Sequence, residues 1–460
     1  MLMPSNHILT AAIIGLGERG ANVYGAYANA HQDQLKIVAC VEPNAPRRER
    51  FARQHGLPPE RVFASDVDFF DAKKLAEAVI ICSMDRTHEQ QALNALRLGY
   101  HVLLEKPIAV TEEGSRLVVR EATRCQRVLS IGLVLRYAPL FATVKEIIDA
   151  GTLGDLVSLR SSENMGTWVF AHSFVRGNWG NIARSSHVII QKGCHDFDIL
   201  CWLVGSPPEL LSCTTSPPVL TKEHMPPGAP PRCTDGCPHA ARCLYEAVRF
   251  YRDGIPMMRD LARSENILVK GLFRTAMRFP RLARTLFPPS RSFNVIPWRQ
   301  WPVTQLGEDL SEQGIMRALR EGPFGKCVYQ CDNDQPAACA TSIRFANGVT
   351  ATYTLHGMSY RDGRELRIDG TKASLNAVFY NTRFRIDVHD HATGKTRTII
   401  LPIERTAGGG GDERIVPGFL DAVAGKAPSR TDAAEALWSH LMCFAAERSI
   451  QSGQTQRIEA

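Results

Sequence analysis

Short apolar runs alternate with amphipathic stretches through the first third of the chain. Residues 11–14, the run KIVACVE ending at Glu42, the run ending at Cys82 and the run ending at Leu104 each read as buried strands. Between them lie stretches such as HEQQALNALRLG, whose apolar positions recur at helical spacing before a capping Gly99. RLVVREATRCQRVLSIG continues the alternation as a helix followed by a strand. This order predicts a parallel sheet with helices on both faces. Past about Gly132 the period changes from helical to two. LVSLRSSEN, ATSIRFANGVTATYTLHGMS, ELRIDGTKASLNAVF and RFRIDVHD alternate apolar and polar residues between Asn-Gly, Asp-Gly and Gly turns. That pattern predicts a large, mostly antiparallel open sheet with one face covered. The expected organisation is an α/β domain over residues 1–135 and an α+β domain over 136–460. An insertion rich in Pro, Cys and Arg interrupts the second domain at about 213–330, and a helical tail runs from Asp412 through EALWSHLMCFAAERSI.

The first strand runs into Gly15, Gly17 and Gly20, with Glu18 and Arg19 between the last two, and a helix-forming stretch follows. Strand, Gly-x-Gly-x-x-Gly, helix, then a second strand ending in the acid Glu42 is the dinucleotide fingerprint of a Rossmann domain. The first glycine turns the chain, the second admits a pyrophosphate to the backbone, and the third lets helix and sheet approach. The helix N-terminus offers free N–H groups and a positive dipole end to the phosphates. Glu42 would accept from a ribose diol and repel a 2′-phosphate, which favours NAD over NADP, although Arg47 and Arg48 lie close by.

Composition narrows the partners. At 460 residues and 44% hydrophobic the chain can bury full cores. No apolar stretch approaches the roughly 18 residues of a membrane span, and the N-terminus shows no basic leader with a cleavage site, so a cytoplasmic protein is expected. The net charge of +7 is concentrated: residues 249–299 hold eleven Lys/Arg against three Asp/Glu. A nucleic-acid protein would show a broader basic face and a recognisable module, so no nucleic-acid partner is expected.

Two further motifs follow in order. Glu105-Lys106-Pro107 comes after the fourth strand, and QKGCHDFDILCWLVG places His195 and Asp198 on a helix. Fingerprint, Glu-Lys-Pro and His-x-x-Asp in this order resemble the Gfo/Idh/MocA family of sugar and polyol oxidoreductases over most of the chain. The resemblance implies an NAD-dependent dehydrogenase that oxidises a secondary hydroxyl of a sugar, sugar acid or cyclitol, in a homodimer or homotetramer. It places Lys106 beside nicotinamide and substrate, where burial and a cationic ring would lower its pKa and suit it to proton relay. His195 matches the family's catalytic histidine, and Asp198 would orient it or bind a sugar hydroxyl. Ser83, Asp85, His88 and Glu105 would meet the cofactor, and Tyr137 and residues 172–179, including Trp179, would line the sugar pocket. One position departs from the pattern. Gln191 stands where many relatives carry an aspartate four residues before the histidine, with Lys192 beside it. An amide is no base, which leaves open a redox-neutral glycoside hydrolase or lyase that oxidises its sugar only transiently. A non-catalytic NAD-binding regulator is the third reading.

The insertion adds two features. Cys233, Cys237 and Cys243, with Cys331 or Cys327 as a fourth and His239 as another candidate, could ligate zinc or an iron–sulfur cluster. Unpaired thiols and a disulfide are the alternatives, and a structural centre is more natural than a catalytic one. Within NILVKGLFRTAMRFPRLARTLF, Leu268, Leu272 and Ala276, and also Val269, Phe273 and Met277, recur at helical spacing opposite Lys270, Arg274 and Arg278. Packing of this helix on its own domain or a neighbouring subunit is favoured over contact with an anionic membrane surface. Bounded by Pro280 and Pro288-Pro289, the segment could also be a lid.

Overall fold

A computed structural model of the chain describes residues 7–264, 267–280, 282, 301–380, 383–402 and 407–459. The first six strands are β1 (Leu9–Ile14), β2 (Leu35–Val41), β3 (Val62–Phe63), β4 (Ala78–Ile81), β5 (His101–Leu104) and β6 (Leu129–Ile131). They pair in parallel in the order β3-β2-β1-β4-β5-β6. That is the doubly wound order of a dinucleotide-binding domain. Both faces are buried, which explains why these strands read as continuous apolar runs. Leu9, Ala11 and Ile13 of β1 enter one core, and Ala12 and Ile14 enter the other.

The second sheet contains β7 (Leu156–Gly166), β8 (Pro208–Thr215), β9 (Ala338–Phe345), β10 (Thr350–Ser359), β11 (Gly363–Gly370), β12 (Ala373–Tyr380), β13 (Arg383–Asp390), β14 (Thr396–Leu401) and β15 (Gln456–Arg457). Its order is β14-β13-β12-β11-β7-β10-β9-β8-β15, antiparallel throughout except at the β10/β7 pair. Strict alternation gives each strand one inward row: on β7 it is Leu159, Ser161, Glu163 and Met165. Helices Cys194–Val204 and Ala433–Ser452 cover that face. Helix Gly411–Val423 instead sends Ile415, Val416 and Phe419 into the core of the first sheet, beside Leu16 and Tyr24. The C-terminal tail therefore closes the dinucleotide-binding layer as well as the second sheet.

The insertion builds its own small core from Phe250, Tyr251, Val303, Ile315, Leu319 and Phe324, against which Trp168 packs. In helix Ile267–Arg278 the packed stripe is Val269, Phe273, Ala276 and Met277, set on Met258 and Ala262. Leu268 and Leu272, expected in an apolar face, are exposed. The boundary at Pro288-Pro289 lies outside the described residues. Among the described residues no helix is long and apolar enough to cross a membrane.

Candidate active site

The fingerprint adopts the geometry its glycines permit. Gly15 sits at φ +86°, where a Cβ would lie 2.7 Å from the Cys82 carbonyl oxygen, and a Cβ on Gly20 would lie 2.0 Å from the Gly15 oxygen. Gly17 differs, because nothing lies within 4 Å of its would-be Cβ. The open space is therefore at the one glycine whose task is to admit a phosphate. Glu42 closes the loop from the second strand, accepting from the N–H of Leu16 (2.9 Å) and of Asn44 (3.0 Å). Arg47 approaches the same carboxylate at 3.7 Å, and Arg48 is turned onto the Glu42 and Pro43 carbonyls.

Arg19 ties the fingerprint to two distant segments. Its Nε donates to Glu105 (2.6 Å), one NH group donates to Asp412 (2.7 Å) and the other to the Tyr24 hydroxyl (3.1 Å). Tyr24 donates in turn to Glu105 at 2.7 Å. Burial raises the Asp412 carboxyl above its ordinary range, and its second oxygen has no hydrogen-bond partner. Glu105 and Arg19 are thus held by each other at the cleft.

Lys106 follows at the carboxyl end of β5, the edge at which open parallel sheets bind ligands. Its peptide bond to Pro107 is cis. The ammonium donates to the Gln191 carbonyl at 3.0 Å, and burial pushes its pKa below that of a free lysine. Gln191 lies in the helical turn Ile189–Gly193 that leads into Cys194–Val204, and His195 lies four residues on. Burial, and after it the Lys106 charge, holds the His195 ring well below the ordinary histidine range, so it is neutral. Two buried polar atoms here have no partner: Gln191 Oε1 and His195 Nδ1. Such groups are costly unless something pairs them.

The other expected residues divide by placement. Asp85 accepts from the Trp179 indole (3.2 Å) and the Ser186 hydroxyl (2.7 Å), so it fixes a wall of the cleft. Ser83 donates to Gln91 at 2.5 Å. The His88 ring lies between the carbonyls of Pro107 (2.7 Å) and Ser83 (3.2 Å), bracing the turn that carries Lys106. Lys192 stands 3.7 Å from Glu163.

Three placements correct the expectation for the pocket. Both oxygens of Asp198 are taken by the Arg136 guanidinium (2.7 and 2.9 Å) in a fully buried pair, leaving none for a ring or a sugar. Tyr137 packs against Ile415, Val416 and Gly418 in the core of the first sheet. His172 is buried, with its Nδ1 2.8 Å from the Tyr251 hydroxyl and its ring stacked on Phe324, and so belongs to the insertion's core.

A charged group missed in the sequence faces His195 from the second sheet. Arg364 on β11 pairs with Glu163 on β7 (2.6 Å) and with Asp196 (2.7 Å). Glu163 and Arg364 are direct neighbours across the two strands, on their inward rows. Asp362 adds a carboxyl raised to about 6 by burial and then by Glu163. The available signal was a charged residue at an inward position of an alternating strand.

The metal expectation at Cys233, Cys237, Cys243 and Cys331 is not supported. Among the described residues no group of three or more His, Cys, Asp or Glu side chains is placed to hold an ion. All thirteen cysteines are free thiols.

Two family models match the chain. One, described as an oxidoreductase family with an NAD-binding Rossmann fold, spans residues 9–133, and the GFO/IDH/MocA C-terminal domain spans 141–226. Inositol 2-dehydrogenase 2 of Saccharopolyspora erythraea is 32% identical over 218 residues, 47% of this chain and 55% of that protein. The chain thus aligns with about half the length of such relatives. Among solved structures, an Agrobacterium radiobacter oxidoreductase in complex with NAD+, L-tartaric acid and magnesium superposes with a TM-score of 0.62 at 15% identity, covering 98% of this chain and 99% of that one. The aldose-aldose oxidoreductase of Caulobacter crescentus gives 0.61 at 13%, covering 98% and 100%. The fingerprint at β1 and the Glu105-Lys106-Pro107 turn fall within the first of these spans and the His195 helix within the second, so residues 9–133 and 141–226 match the two domains of the Gfo/Idh/MocA family of oxidoreductases.

Proposed function

We propose that the chain is an NAD-dependent dehydrogenase that oxidises a secondary hydroxyl of a sugar, sugar acid or cyclitol. The observation that carries this reading is the meeting of Lys106, Gln191 and His195 at the carboxyl end of β5, with two buried polar atoms unpartnered. The fingerprint fits the cofactor, since Gly17 leaves the approach open and the backbone crowds Gly15 and Gly20. Gly15, Gly17, Glu18, Arg19 and Gly20 hold the pyrophosphate end, and Glu42 receives the ribose diol. Ser83, Asp85, His88 and Glu105 shape the nicotinamide end. When bound, NAD+ supplies the hydride acceptor.

The chain's own residues manage the proton and the pose. Burial favours the uncharged amine of Lys106, whose Nζ then takes the hydroxyl proton as the C–H bond breaks. His195, neutral and with Nδ1 free of protein partners, orients the same hydroxyl or relays its proton. Gln191 cannot act as a base, but its amide binds a neighbouring hydroxyl, with Lys192 and Trp179 at the rim. A homodimer or homotetramer built on the exposed face of the nine-stranded sheet goes with this reading. Reduced-nicotinamide absorbance with NAD+ and a panel of sugars, sugar acids and cyclitols tests it. A sustained rise that disappears in Lys106→Ala supports it. NAD binding with no rise on any compound removes it.

Gln191 itself favours a second reading. With no carboxylate at that position, the site also suits a sugar oxidised transiently, cleaved by elimination and reduced again. That chemistry would cleave aryl glycosides with catalytic NAD and no net NADH.

A further inference from the structure

The insertion's cysteines converge on one place. Cys233, Cys237, Cys243 and Cys327 line a single cavity of about 20 Å³, with Arg176 and Tyr245 in its wall. That is room for roughly one water-sized body. Backbone pairing fixes two of the four side by side. The Cys233 N–H donates to the Gly325 carbonyl (3.0 Å), the Cys327 N–H donates to Pro231 (2.8 Å), and Arg232 bridges Lys326 between them. Cys243 is held over the cavity by its N–H on the His239 carbonyl (2.8 Å). The His239 ring is turned to the Pro227 carbonyl (2.8 Å), and Cys331 is absent from the lining, its thiol directed at the Cys327 carbonyl (3.4 Å).

Charge supplies an independent observation. Arg176 is 4% exposed and makes no ion pair among the described residues. Its Nε donates to the Lys326 carbonyl, and one NH group donates to the Tyr245 carbonyl (2.8 Å) and to Cys233 Sγ (3.5 Å). The remaining nitrogen, NH1, is buried with no partner. The buried Glu246 carboxylate shares the wall but is engaged by the N–H groups of Val248 (3.1 Å) and Arg249 (2.7 Å) and makes no ion pair with Arg176, and neutral thiols do not offset the guanidinium charge. Four thiolates around a soft cation carry net negative charge and do offset it.

We propose that Cys233, Cys237, Cys243 and Cys327 bind a soft metal centre through four thiolates, with Arg176 as its counter-charge. Binding releases the four thiol protons and draws the sulfurs together, which the free thiols have not done. The ligands stand on both sides of residues 244–326, so the centre fastens the two ends of the inserted segment. Its role is structural and independent of the dehydrogenase reading. Zinc and an iron–sulfur cluster are the two sources of this chemistry.

Native mass spectrometry and elemental analysis of the full chain, isolated without oxygen, test the assignment. The expected result is about one zinc per chain, or iron with acid-labile sulfide and broad visible absorbance. The metal is lost in Cys237→Ser and Cys243→Ser and kept in Cys331→Ser and Cys125→Ser. Alkylation of the wild-type chain covers the case of variants that do not fold: a chelator exposes four additional thiols and hastens proteolysis within 244–326. Metal-free protein with equal labelling before and after chelation overturns the proposal. So does metal retained in Cys243→Ser, or disulfides joining these cysteines in protein isolated without oxygen.

Discussion

Asp198 was expected to touch substrate or the catalytic ring, and the structure makes it half of a buried ion pair instead. Asp198→Ala separates the two roles. Arg136 is 1% exposed, and Asp198 gives it two charge-assisted hydrogen bonds. Removing one partner of such a pair leaves an uncompensated buried charge and costs about 3–5 kcal/mol. Arg136 keeps Glu435 (2.7 Å) and the Arg430 carbonyl (2.8 Å), which places the loss near the lower figure. At a urea slope of about 3 kcal/mol per molar, a loss of about 3 kcal/mol lowers the unfolding midpoint by about 1 M. Trp202, 5.8 Å from the Arg136 guanidinium, reports the transition by fluorescence. Replacing both partners, as in Arg136→Met with Asp198→Leu, recovers most of the loss, because no charge is then left buried. An unchanged midpoint in Asp198→Ala, together with a raised KM, would refute the assignment and return Asp198 to the substrate.

Two further tests rest on local geometry. Gly17→Ala adds a methyl to open space and is expected to fold normally while losing NAD affinity by tenfold or more, an effect of about 1.4 kcal/mol; calorimetric titration with NAD checks it, and wild-type affinity would mean the phosphate path lies elsewhere. Stability should fall as pH drops below about 6.5, since His101, His187 and His440 are held to about 4 and His172 to about 3, all by burial first. The unfolded chain binds the extra protons there, so stability rises with pH through that window. Asp196 and Asp362, raised to about 6, and Glu447, raised to about 7, act in the opposite sense, but the four histidine shifts are together larger. Urea midpoints that stay level between pH 7 and pH 5 would contradict this balance.

What could be read from the sequence was what is local. The fingerprint, Glu42 and the Lys106 turn are single strand-to-loop units, in which adjacent residues determine both shape and chemistry. The family pattern likewise singled out Gln191 and His195 together, four residues apart. Register does not reveal partners, and Asp198 was misplaced because Arg136 lies 62 positions away in the chain. The group of Glu163, Arg364 and Asp362 escaped because its members meet only when β7 and β11 pair. The cysteine spacing pointed to a cluster, but the antiparallel contact at Arg232 and Lys326 selects Cys327 over Cys331. In the basic helix both apolar stripes were visible, and only the fold shows that Phe273, not Leu272, faces a core.

The most direct test of the central claim follows one atom. Candidate cyclitols and sugar acids deuterated at their secondary carbinol carbons are incubated with the protein and NAD+, and the nicotinamide is recovered for mass spectrometry. The account predicts deuterated NADH accumulating in step with ketone product, in wild type and not in Lys106→Ala. Turnover of substrate with no deuterium retained on the nicotinamide would contradict a net dehydrogenase.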